Sequence, residues 1–207
     1  EEMTIPPGDG LPMLVSQAKA AEELFTGAAV PETENERIHR LIRLETENIV
    51  LIGMPGSGKT VIGRELARLT GRKALDIDEL IERQTGAAIP ALFRERGEAE
   101  FRRLEREALA RIGAQNGCLI ITGGGAVKDE RNYAALHQNG RTYHIERNIS
   151  LLPKTGRPLS LAADLQEMHR ERLPMYLRFR DQVIENQGTP GEAAQRIWRD
   201  FSENIGD

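Results

Sequence analysis

Residues 53–60, Gly-Met-Pro-Gly-Ser-Gly-Lys-Thr, fit the pattern G-x-x-x-x-G-K-[ST]. Gly56 and Gly58 let the backbone turn so that successive N–H groups aim inward at phosphate oxygens, where side chains would block the approach. A helix beginning at this point adds the positive end of its dipole. Lys59 brings a full positive charge to the terminal phosphates, and the Thr60 hydroxyl is suited to Mg²⁺. The pattern carries weight only between a strand and a helix. Both are predicted: "NIVLIG" reads as a buried strand, and residues 58 to about 70 read as a helix. The loop is read as a cradle for a nucleoside triphosphate.

Kinases, GTPases and motors all share such a cradle, so the residues opposite it must discriminate. "LDIDEL" places Asp76 and Asp78 at alternate positions at the expected end of a second strand, projecting to one side. One acid near a phosphate site can hold Mg²⁺ through water, and the other can accept a hydrogen bond from a hydroxyl. A solvated strand end, or a helix cap by Asp78, is the alternative. In "EFRRLE", Phe101 and Leu104 give a helix its inward face, while Arg102 and Glu105 at i,i+3 can brace one another. A braced guanidinium is a rigid fork that matches a carboxylate; an exposed ion pair of little worth would look the same in sequence. Gly123, Gly124 and Gly125 after a strand allow close approach to the main chain, with Thr122 beside them near the expected metal. A plain loop is the alternative there.

The elements that must position these residues alternate in kind. "KALDID", "CLIITGG", "RTYHIE" and the short "DQVIEN" follow "NIVLIG" as strands. Helices are expected over roughly 78–85, 98–115 and "GEAAQRIWRDF". Alternation of this kind predicts an α/β fold, with a central parallel sheet of about five strands between helical layers, because parallel strands need crossover helices. Residues 1–46 read differently. Leu11, Leu14, Val15, Ala18, Ala21 and Phe25 recur at helical spacing up to a C-cap at Gly27, and Ile38, Leu41 and Ile42 mark a shorter amphipathic segment. The expected domains are therefore a helical appendage over 1–46 and a nucleotide-binding domain over 47–207.

Composition narrows the function classes. Aromatics at 4% argue against a surface of stacked nucleobases, and a net charge of −4 offers no global attraction to nucleic acid or anionic lipid. A single cysteine, Cys118, suits a reducing compartment. No apolar run approaches the ~18 residues of a membrane span, so a cytoplasmic location without nucleic-acid or membrane partners is expected.

Taken in order, G-x-x-G-x-G-K-T, D-x-D, F-R-x-x-E, G-G-G, "GRPLS" and "ERLPMY" resemble shikimate kinase, in the nucleoside-monophosphate-kinase branch of P-loop proteins, from about residue 47 to 203. The resemblance implies transfer of the γ-phosphoryl of ATP to the 3-hydroxyl of shikimate, a step toward chorismate and the aromatic amino acids. It implies that Gly53, Pro55, Gly56, Ser57, Gly58, Lys59 and Thr60 bind ATP, and that Thr60 and Asp76 hold Mg²⁺. Asp78 would hold the substrate hydroxyls and accept the proton. Arg102 and Arg172 would grip the carboxylate, with Gly123, Gly124 and Gly125 lining the site. Arg157 in "GRPLS" matches a lid arginine that swings toward the transferring phosphate.

The lid, about 150–161, is shorter here than the family's, and Lys154 is its remaining basic residue before Arg157. Pro153, Gly156 and Pro158 suggest a segment that stands open without nucleotide and closes over both substrates. "NQGTPGEAA" matches the family's adenine loop, with Gln187, Thr189 and Pro190 as contacts. "GLPMLVSQAKAAEELFTG" resembles the closing helix of shikimate dehydrogenase, Gln17 standing where that enzyme's glutamine touches shikimate, which implies a dehydrogenase domain upstream in a longer polypeptide. Two other functions share part of this pattern. A P-loop kinase for gluconate or another sugar acid would keep the cradle and the acidic strand end, and a nucleotide-dependent binding module would keep Lys59 and Thr60.

Overall fold

The computed structural model describes residues 10–151 and 162–205. Most of the expected lid, with Lys154 and Arg157, lies outside the described residues. The described chain forms two units that divide between Glu45 and Thr46.

The first unit carries two helices. α1 (Leu11–Thr26) stops at Gly27, whose φ of 68° is left-handed and whose N–H donates to the Glu23 carbonyl. α2 (Glu32–Thr46) opens with Glu32 and Glu34 in its first turn, where negative charge favours the helix dipole. It is longer than the short segment expected around Ile38–Ile42.

The second unit holds the sheet. β1 (Asn48–Ile52) is buried along its whole length and leads through the glycine-rich loop into α3 (Lys59–Thr70). β2 (Ala74–Asp76) passes directly into α4 (Ile77–Thr85), and α5 (Ile89–Gly113) follows. Next come β3 (Leu119–Ile121), α6 (Arg131–His137), β4 (Gly140–Glu146), α7 (Ala162–Phe179), β5 (Gln182–Glu185) and α8 (Pro190–Glu203). All pairings are parallel and the strand order is β2-β3-β1-β4-β5. Both faces are covered, as a parallel sheet requires. Val50, Ile52 and Ile120 join Ile77, Leu92, Phe101, Leu109, Tyr176 and Phe179 in the core under α4, α5 and α7. On the other face α3 lies close enough that a Cβ at Gly63 would stand 2.5 Å from the Ile121 side chain.

The chain leaves β1 toward β2 at one edge and leaves β3 in the opposite direction, toward β4. Adjacent strands departing in opposite directions open a crevice at their carboxyl ends, where ligands bind in sheets of this type. The phosphate loop follows β1 and the triple glycine follows β3, so the crevice lies between them.

Two local expectations are corrected. Strand β2 ends at Asp76, and Asp78 lies in the first turn of α4 rather than at an alternate strand position. Asp76 is the residue that caps α4, its Oδ1 accepting the N–H groups of Asp78 and Glu79 at 3.1 and 3.5 Å. The two acids therefore share a corner, not a strand face. α5 carries the helix expected over 98–115 and, ahead of it, an unexpected segment from Ile89 with Pro90 in its first turn, where a missing N–H does no harm. It is kinked at Gly97, whose φ of 79° and ψ of 168° break the helical run.

Candidate active site

The phosphate loop is built as a closed cup. Gly58 caps α3 with φ 101°, and a Cβ there would meet the Asn186 amide nitrogen at 2.6 Å. That nitrogen donates to the Ser57 carbonyl at 2.7 Å, which ties the loop to the start of the β5–α8 connection. Lys59 is buried, its Nζ donating to the carbonyls of Gly53 and Met54 at 2.7 and 2.9 Å. The lysine is thereby held over the loop. Ser57 Oγ is buried with no hydrogen-bond partner among the described residues. A buried hydroxyl without a partner is costly unless a ligand serves it, and a phosphate oxygen would.

Thr60 Oγ1 donates to Asp76 Oδ2 at 3.0 Å. A hydroxyl and a carboxylate side by side at the helix start are hard oxygen donors of the kind Mg²⁺ takes together with water and phosphate. The residues present thus fit the ion. Asp76 is fixed in place by the backbone N–H groups it caps.

Beside the phosphate loop, four charged side chains converge on three consecutive glycines. A Cβ at Gly123 would lie 2.8 Å from Asp78 Oδ1 and 2.9 Å from Glu105 Oε1. A Cβ at Gly124 would lie 2.6 Å from the Pro55 ring, and at Gly125 2.4 Å from the Arg102 guanidinium. The main chain runs flush against Pro55, the acids and Arg102. A plain loop has no need of such proximity. Gly125→Ala is expected to displace Arg102 and raise the KM for the acceptor about tenfold while leaving the KM for ATP within twofold, measured by steady-state kinetics.

Arg102 Nη1 donates to Glu105 Oε2 at 2.6 Å, with Glu105 fully buried and Arg102 only 18% exposed at its side chain. The i,i+3 brace is real and is not a surface pair. Arg172 Nη1 donates to the Gly124 carbonyl at 3.0 Å, and the Tyr176 hydroxyl donates to the same oxygen at 2.6 Å. Burial pushes the Tyr176 phenol up to about 12, so it remains a donor. Tyr176 in turn stacks on His144 of β4 with ring centroids 4.7 Å apart. Burial, then the nearby Arg180 and Lys59 charges, lower the His144 imidazole to about 4, so it is neutral beneath the site.

Three polar atoms in this cluster are buried without a partner among the described residues: Asp78 Oδ1, Glu105 Oε1 and Arg172 Nε. Two acceptors and one donor left unpaired beside the triple glycine carry a desolvation cost that a polar ligand would offset. Burial raises the Asp78 carboxyl, reinforced by Asp76 and opposed by Lys59. Glu105 is also raised, mainly by burial and against the pull of Arg102.

Other expected residues are placed as follows. Thr122 Oγ1 donates to the Leu51 carbonyl at 3.0 Å, a strand-to-strand bond rather than a metal-facing hydroxyl. The Thr189 side chain and Glu192 form a capping box on α8, with Pro190 in its first turn. Gln187 lines a groove of about 700 Å³ with Arg147, Asn148, Leu165 and His169, at the carboxyl ends of β4 and β5. Thr189 lines a different groove of about 340 Å³ beside α8. Glu185 lines both grooves, which makes them neighbours. Sequence reasoning assigns no role to Asn186, Tyr176 or His144, although "NQGTPGEAA" opens on Asn186 and "ERLPMY" ends on Tyr176, because their contacts join strands and helices far apart in sequence.

A family model described as shikimate kinase matches residues 55–202. A curated shikimate kinase of Bordetella avium is 36% identical over 186 residues, covering 85% of this chain and 89% of that one. The chain belongs to the shikimate kinase family. The shikimate kinase of Acinetobacter baumannii in complex with shikimate superposes with a TM-score of 0.74 at 33% identity, covering 81% of this chain and 99% of that one. The shikimate kinase of Aquifex aeolicus gives 0.68 at 30% identity, over 77% and 99%. Membership makes the chain an ATP-dependent kinase with an α/β P-loop fold. No helix among the described residues is long and apolar enough to cross a membrane.

Proposed function

We propose that the protein transfers the γ-phosphoryl of ATP to the 3-hydroxyl of shikimate, giving shikimate 3-phosphate. One observation carries the reading: Asp78, Arg102, Glu105 and Arg172 converge on Gly123–Gly125, which pack against Pro55 of the phosphate loop. Shikimate presents a carboxylate at one end and hydroxyls at the other, and the crevice offers cationic and anionic groups to match.

Phosphoryl transfer demands in-line positioning and charge neutralisation more than covalent chemistry. Gly53, Pro55, Gly56, Ser57 and Gly58 shape the cradle, and Lys59, held over it by the Gly53 and Met54 carbonyls, meets the phosphates. Thr60 and Asp76 would hold Mg²⁺, which supplies charge neutralisation at the phosphates. Arg102 and Arg172 hold the acceptor by its carboxylate, turning a bimolecular encounter into an oriented one. Asp78, next to Gly123, accepts from the acceptor hydroxyl and takes its proton. Arg157, outside the described residues, is assigned the lid role by "GRPLS", with Lys154, Gln187 and the main chain of Thr189 and Pro190 toward the base. The resemblance of α1 to a dehydrogenase's closing helix supports a further reading, that a dehydrogenase domain stands upstream over 1–46 and beyond.

Arg102→Ala and Arg172→Ala each remove one charge-assisted grip, worth about 1.5–3 kcal/mol or roughly 10- to 100-fold. The KM for shikimate is expected to rise by that factor, with the KM for ATP within threefold. A rise in the ATP value instead would put the acceptor at the wrong end of the crevice. Phosphorus NMR of the product tests the reading itself: a new phosphate must couple to the proton at C3 of shikimate, and coupling elsewhere would contradict it.

A further inference from the structure

Two carboxylates of unequal standing hold Arg102. Glu105 is fully buried and takes Nη1 at 2.6 Å. Glu98 is 54% exposed and takes Nε and Nη2 at 3.3 and 3.1 Å through a single oxygen, Oε1. The Nε–Nη2 edge is one on which a guanidinium grips a carboxylate with two parallel N–H bonds. Glu98 occupies that edge as an incoming acceptor carboxylate would. Its contact, long and exposed, is of the weak class, whereas breaking the buried Glu105 pair would be far more costly.

Glu98 can let go. It follows Gly97, where the left-handed φ of 79° already breaks α5, so its side chain can swing without unwinding the helix that carries Arg102. A second cation waits beside it. Lys128 Nζ stands 4.0 Å from Glu98 Oε1 and 3.5 Å from Glu171 Oε1.

We propose that Glu98 is an internal stand-in for the acceptor's carboxylate, holding the Nε–Nη2 edge of Arg102 in the acceptor-free enzyme and ceding it to the acceptor while turning to Lys128. This rests on the reading of Arg102 as the acceptor-carboxylate grip. The exchange sets specificity as well as affinity. A ligand with a carboxylate replaces the charge that Glu98 withdraws, while a neutral polyol cannot, and leaves Glu98 in place.

The test is shikimate binding by calorimetry for the wild type, Glu98→Gln, Glu98→Ala, Glu100→Gln, Arg102→Ala and the Glu98→Gln/Arg102→Ala double variant. Removing the competitor is expected to tighten shikimate binding about three- to fivefold in both Glu98 variants, the worth of one exposed ion pair. Glu100, whose partner is Arg103, controls for a like charge lost from the same helix, and its variant is expected to bind within about 1.5-fold of wild type. Without Arg102 the Glu98 change has nothing to release and is expected to alter nothing. Unchanged or weaker binding in the Glu98 variants overturns the proposal, and so does equal tightening in the Arg102→Ala background or in Glu100→Gln. If Arg102→Ala alone leaves binding unchanged, the reading of Arg102 fails, and that outcome is separate from the others.

Discussion

Lys59→Ala abolishes useful turnover. Lys59 is the one full positive charge of the phosphate loop, and it is already buried over the cup where the γ-phosphate must sit. A preorganised charge in a water-poor site acts most strongly where charge develops in the transition state, and losing one such donor costs about 2.7–4 kcal/mol, or roughly 10²–10³ in kcat. The substitution also frees two loop carbonyls that the ammonium now satisfies, so the empty loop loses some of its order. Steady-state kinetics with saturating shikimate checks this. Retention of more than about a tenth of the wild-type kcat would remove the phosphate loop from the account.

Asp78→Asn separates activity from stability. Asparagine keeps the shape but cannot take a proton, so kcat is expected to fall by about two or more orders of magnitude. The fold is expected to gain. Burial raises the folded-state carboxyl of Asp78 above its ordinary value, so ionising it at neutral pH works against folding. The sign follows: the raised group favours the folded state below its unfolded pKa, and that advantage is lost as pH rises through the folded value. A neutral amide removes the penalty at pH 7, and the Tm of Asp78→Asn is expected to exceed the wild type's. The same raised carboxyl moves the acid limb of kcat/KM upward from the usual aspartate range, because only the ionised form accepts the proton. An unchanged kcat together with a flat acid limb would leave Asp78 as a first-turn helix residue with no part in the chemistry.

The phosphate loop was legible because its residue types encode backbone geometry, and β1, the loop and α3 followed one another where the motif needs them. The parallel five-stranded sheet was legible from alternation alone. The Asp76–Asp78 pair was legible as two acids at one place but not as a geometry. "DID" suits alternate strand positions and equally suits a helix cap followed by a first turn, and the side-chain cap that Asp76 makes decided between them. The first turns of α5 were missed because Gly97 and Pro90 read as punctuation, although the chain crosses one by a left-handed glycine and uses the other at a helix start. The four-sided support of Gly124, by Pro55, Arg172, Tyr176 and through it His144, had no local signal. It joins a loop, a helix and a strand separated by tens of residues, and only the folded chain brings them together.

The most direct measurement is ATP turnover by the purified protein with no acceptor, with shikimate and with gluconate. The account predicts slow turnover alone, stimulation by about two or more orders of magnitude with shikimate, and near-background turnover with gluconate, whose open chain does not place a hydroxyl against Asp78 while its carboxylate lies between Arg102 and Arg172. Equal turnover in all three conditions, or stimulation by gluconate rather than shikimate, would contradict it.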